Sequence, residues 1–134
     1  MGVFGFFKKR KSELSREQKK WNKMWDLWAE NRAGTPYAEV MTYQSEVNNG
    51  GHDQYFLNVE QTGDLQAEIS ILENVLSEEL RSNLLTAYDA YQMLADKESD
   101  EEWEAILERC DDVFFKNEEE INRILKEYAS KIEL

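Results

Sequence analysis

The sequence predicts an all-α fold, a compact single-domain bundle of about six to seven short helices. Three observations carry this. One Pro and six Gly in 134 residues leave little punctuation for a many-turned β fold. Apolar residues recur at steps of three and four along most of the chain instead of alternating. Hydrophobic residues make up 41% of the chain, too many for a disordered one and enough for a single core at this length.

The elements follow in order. Ser15 and Gln18 have the spacing of a capping box, opening a helix that runs to about Arg32. Leu14, Trp21, Met24, Trp25 and Trp28 fall within about 100° of its wheel, with Arg16, Lys19, Lys20 and Lys23 opposite. A seam of large aromatics at this spacing reads as core. Gly34-Thr35-Pro36 marks a boundary, with Gly stopping one helix, Thr capping the next and Pro in its first turn. Tyr37, Val40, Met41, Gln44 and Val47 or Asn48 then keep helical spacing. Asn48-Asn49-Gly50-Gly51 breaks it, and a short helix from His52 to about Asn58 follows. Asp64 caps a helix bearing Leu65, Ile69, Leu72 and Leu76. Ser77 caps another bearing Leu80, Leu84, Tyr88, Tyr91 and Leu94. From Asp100, the positions Trp103, Ile106, Leu107, Cys110, Val113 and Phe114 form one apolar face. Asn117 and Glu120 suggest a second capping box, opening a last helix with Ile121, Ile124, Leu125, Tyr128 and Ile132.

Charge divides the chain in two. Residues 1–33, a basic aromatic tail and helix, hold nine basic and four acidic side chains. Residues 34–134, an acidic all-α domain, hold seven and 24, so the parts carry +5 and −17 and the whole −12. That density discourages direct contact of the acidic domain with nucleic acid and suits a basic protein partner. Several chemistries lack their residues. A single Cys, Cys110, permits no internal disulfide and sits on an apolar face as core; a single His, His52, leaves no multi-His metal site. No phosphate-binding Gly motif, no calcium loop and no apolar run of 18 residues occurs. The reading is therefore a cytoplasmic protein without catalytic residues, metal or cofactor. Residues 1–25, with Phe4, Phe6 and Phe7 beside four bases, offer weak contact with a membrane surface. A homodimer stays open.

Two stretches are candidates for function. On the helix from Asp100, the side chains Asp100, Glu101, Glu104, Glu108, Asp111 and Asp112 share about 120° of the wheel, opposite the apolar face. With Glu102, seven acids over roughly 20 Å of helix give about one charge per 3 Å, close to the 3.4 Å of one phosphate strand. Glu118, Glu119 and Glu120 extend the row. A solvated face is the plain alternative. The second stretch is the corner formed by Glu46, Asn49, Gly50, Gly51, His52, Gln54, Tyr55 and Asn58. It reads either as a small polar recognition site or as a hydrogen-bonded joint that fixes the angle between two helices. The first-turn amides after the glycines are suited to a carboxylate or another anion.

The corner carries a resemblance. Glu46, Asn49, Gly50, Gly51, His52, Gln54, Tyr55, Phe56 and Asn58 spell Glu-x-x-Asn-Gly-Gly-His-x-Gln-Tyr-Phe-x-Asn, which resembles the signature of the DNA-mimic-protein-like family of small acidic bacterial domains. The resemblance runs from about Pro36 to the C-terminus. It implies an all-α fold, no enzymatic activity and, in some members, an acidic surface that imitates DNA and occupies the DNA-binding face of a basic regulator. The expectation is a non-enzymatic acidic interaction protein acting as such a mimic. The alternatives are an immunity-type or regulatory inhibitor of a toxin or enzyme, and a ligand site at the Asn-Gly-Gly corner.

Overall fold

The computed structural model describes residues 14–96 and 100–134, and among them contains six helices and no strand. They are α1 (Arg16–Ala29), α2 (Tyr37–Thr62), α3 (Leu65–Val75), α4 (Glu78–Asp96), α5 (Glu101–Lys116) and α6 (Glu118–Ser130). The membrane-contact expectation for residues 1–25 rests in part on residues 1–13, the Phe-rich start, which lie outside the described residues. No helix among the described residues is long and apolar enough to cross a membrane.

Kinked α2 forms the middle of the bundle and packs against α3, α4, α5 and α6, while α4 and α5 pair as the tightest hairpin. The core is built from the predicted stripes: Val40, Met41 and Val47 of α2, Leu80 and Leu84 of α4, Leu107, Cys110 and Phe114 of α5, Ile121 and Leu125 of α6. Tyr43, Tyr55 and Phe56 are also fully enclosed. They meet one another and Phe114 edge-on or tilted at 5.0–5.4 Å, the geometry aromatic quadrupoles favour. Burial pushes the Cys110 thiol up to about 11, which keeps it an unreactive core residue.

The Trp-rich helix α1 packs on α6. Met24 is wholly buried, Trp21, Trp25 and Trp28 lie partly buried in an edge-to-face row, and the Trp28 Nε1–H donates to Thr42 Oγ1 at 2.9 Å. Two of its lysines reach the end of the chain: Lys20 Nζ donates to the Ser130 carbonyl at 2.9 Å and Lys23 Nζ to that of Glu133 at 2.7 Å. Cations there complement the negative end of α6.

Most caps match the sequence. Ser15, Asp64 and Ser77 each accept a backbone N–H of their first turn, and Asp100 does the same for Glu102. Four details differ. Gln18 bonds Asn22 instead of closing the capping box. The end of α1 is made by Asn31 (φ 59°), not by Gly34: Arg32 N–H donates to Leu27 O and Asn31 N–H to Trp28 O, the paired bonds of a left-handed helix stop. Pro36, not Thr35, is the cap residue of α2, and the Thr35 hydroxyl donates to Glu39 Oε1. The capping box at Asn117 does not form; its amide donates back to Val113 O, and Glu120 Oε2 accepts the Ser77 N–H of the neighbouring helix.

Candidate functional site: the glycine corner and the acidic helix

The chain bends at Gly50 and Gly51, and both glycines are needed for a steric reason. Gly51 has φ +80° and ψ 179°, a region essentially confined to glycine, and a Cβ built on it would lie 2.5 Å from Asp111 Oδ2. A Cβ on Gly50 would collide with the folded side chain of Gln54. The second half of α2 continues from the bend to Thr62, one turn beyond the predicted end at Asn58.

The bend brings three sets of polar groups together. In the first, Glu46 Oε2 accepts from Gln54 Nε2 at 2.9 Å and from Asn58 Nδ2 at 2.7 Å, tying one arm of α2 to the other. In the second, His52 is fully buried, and Asp111 Oδ1 accepts both its backbone N–H at 2.9 Å and its Nδ1–H at 2.6 Å. Its Nε2 accepts the Tyr43 hydroxyl proton at 2.6 Å. Burial raises the Tyr43 phenol well above its ordinary value, with Cys110 and Asp111 adding to the effect, so that proton stays on the phenol. In the third, Glu118 Oε2 accepts from Gln44 Nε2 at 3.0 Å and Asn48 Nδ2 at 2.7 Å, fastening α2 to α6.

These contacts place Glu46, His52, Gln54 and Asn58 of the predicted corner. The amide of the first turn after the glycines does hold a carboxylate, and that carboxylate is the chain's own Asp111. Glu46 and His52 hydrogen-bond to separate partners, and these bonds tie the two arms of α2 to each other and to α5. Asn49 is exposed. Tyr55 is buried with its hydroxyl on Glu68 Oε1 at 3.0 Å, joining α2 to α3. Tyr43, Gln44, Asn48 and Glu68 complete the arrangement from outside the predicted site residues, together with Glu118, which the sequence places in the acidic row. A signal for Tyr43 existed, since it lies three residues after Val40 and four before Val47, on the same stripe.

Glu68 carries a pH signature. Burial, together with nearby Glu39 and despite the Tyr55 hydrogen bond, pushes its carboxyl from the ordinary 4.5 up to about 6. A raised carboxyl contributes stability that is whole below about 4.5 and disappears as pH rises through about 6. Glu68→Gln keeps an acceptor for Tyr55 and removes the charge. The melting temperature of the variant relative to the unaltered protein should therefore rise between pH 5 and pH 7, by parallel thermal melts; a constant difference would contradict the assignment.

The acidic helix α5 is sorted differently from the expectation. Glu101, Glu104, Glu108 and Asp112 are exposed and span about 80° of the wheel. Asp111 is a correction: it turns inward to His52 and its side chain is 25% exposed. Wheel position puts it at the edge of the acidic arc, where a buried imidazole and a backbone N–H capture it. Asp100 is half-buried and caps α5. Of the proposed extension, Glu118 and Glu120 are tied to neighbouring helices and Glu119 is exposed. The outward row is thus four carboxylates over about 16 Å, near one per 5 Å, sparser than the sequence count suggests. Ion pairs among the described residues join Arg32 to Glu30 and Lys131 to Glu127, and His52 is a neutral hydrogen-bond donor to Asp111, so no cation neutralises this row.

Comparison with known proteins bears on the same residues. A model of the DMP19-like protein family matches residues 36–132, from the start of α2 to the end of the bundle, with the glycine corner inside the match and α1 before it. The chain belongs to the DMP19-like protein family. No curated protein and no solved structure matches it. Within the matched region, Glu46, Gln54 and Asn58 hydrogen-bond across the bend, and Asp111 accepts from His52 beside Gly51.

Proposed function

We propose that this family member is an interaction protein that docks on a basic protein surface through the outer face of α5, as a DNA mimic occupying the DNA-binding face of a regulator. The observation that carries the reading is the row Glu101, Glu104, Glu108 and Asp112, exposed and without a cation partner among the described residues. Carboxylates at four-residue spacing repel one another, and a helix tolerates them when its other face is well anchored. Here Leu107, Cys110 and Phe114 are buried, Asn83 Nδ2 donates to the Cys110 carbonyl at 2.8 Å, and Asp111 is locked to His52. The charges therefore sit on a rigid support. Membership of the DMP19-like family supports the mimic reading in general terms.

A surface of this kind speeds encounter with a cationic partner and makes binding fall with salt. The quadruple variant Glu101→Gln, Glu104→Gln, Glu108→Gln, Asp112→Asn tests it. In pull-downs from host lysate, the unaltered protein should retain basic DNA-binding proteins at about 50 mM salt and release them near 500 mM, where screening is severe. The variant should keep its melting temperature within a few degrees and lose those partners at least tenfold by quantitative mass spectrometry. Equal retention by the variant would place the interaction elsewhere.

A further inference from the structure

The packing of α1 on α6 leaves an open cleft of about 610 Å³ between the two helices. Its rim carries Arg16, Lys20 and Lys126, against a single acid, Glu17, and Trp21 and Ala129 contribute the apolar surface. Positive charge concentrated there is out of keeping with a chain of net −12. The side chains have different commitments. Lys20 is half-buried and donates to the Ser130 carbonyl, whereas Arg16 and Lys126 are exposed and in no ion pair among the described residues. The cleft opens beside both the first turn of α1 and the last turn of α6, so the two helix dipoles oppose one another there and the exposed side chains set its charge.

We infer that this cleft is a binding site for an amphipathic anion, its acidic head on Arg16 and Lys126 and its apolar body against Trp21 and Ala129. Cations at the rim of an apolar groove supply orientation and the groove supplies contact area, the division of labour usual in small-molecule sites. The site is independent of the α5 row, and either can fail without the other.

The probe is 8-anilinonaphthalene-1-sulfonate, an aromatic sulfonate whose emission rises on leaving water, with uncharged N-phenyl-1-naphthylamine as its control. The full chain should bind the sulfonate saturably, with one equivalent per chain, and 0.5 M NaCl should weaken it. The variant Arg16→Gln/Lys126→Gln changes two exposed side chains and should keep its melting temperature while binding the sulfonate at least tenfold more weakly. The uncharged control should respond equally little to variant and unaltered protein. Co-sedimentation with phosphatidylglycerol vesicles that is lost in the same variant would identify the anion as a lipid head group; sulfonate binding without co-sedimentation would identify it as a free amphiphile. Unaltered sulfonate affinity in the double variant, or no saturable binding, would overturn the assignment.

Discussion

Replacing Gly51 with alanine is expected to lower the melting temperature by about 10–15 °C. Two costs combine. The backbone at φ +80° and ψ 179° is held at about 1–3 kcal/mol by any residue with a Cβ. The added methyl would also sit 2.5 Å from Asp111 Oδ2, displacing the carboxylate that satisfies His52. A buried donor left without its acceptor costs a further 1–3 kcal/mol or so. Thermal denaturation followed by circular dichroism measures the sum. A loss below about 3 °C would mean that the bend has another low-energy conformation and that the double glycine is not structurally required.

The neighbouring aspartates of α5 should behave as opposites. Asp111→Ala removes the acceptor, among the described residues, of both the backbone N–H and the Nδ1–H of fully buried His52, so about 3 kcal/mol of stability should be lost. Asp112→Ala removes an exposed carboxylate four residues after Glu108 and should change stability by less than about 0.5 kcal/mol, in either direction. Chemical denaturation of the two single variants gives the comparison directly. Partner binding should show the reverse preference, with Asp112→Ala reducing it while the fold stays intact. If the two variants were equally stable, the inward turn of Asp111 would be wrong, and the row on α5 would contain both residues.

That pair also shows where the sequence was legible and where it was not. The apolar stripes of α5 and α6, the Ser15 and Asp64 caps and the break at Gly50-Gly51 depend on contacts within one helix or on backbone conformation, and local spacing encodes those. The fate of Asp111 depends on a residue 59 positions earlier, and that of Glu118 on Gln44 and Asn48, 74 and 70 positions earlier. A helical wheel assigns Asp111 and Asp112 to one acidic arc because it contains no neighbouring helix. The same blindness made the Asn117–Glu120 spacing look like a capping box when Glu120 serves Ser77 of another helix. At the corner, the residues of the motif are local in sequence, but which donor meets which carboxylate depends on the direction of the bend and on α5, and local spacing contains neither.

The reach of α2 has a consequence for how the molecule comes apart. From one helix, side chains fasten α3 through Tyr55, α5 through His52 and α6 through Gln44 and Asn48, and the two arms hold each other through Glu46. Opening at the elbow slackens all three moorings in the same event, so these helices share a single cooperative unit. Helix α1, seated by buried Met24, its tryptophans and two lysines, lies outside that set of moorings.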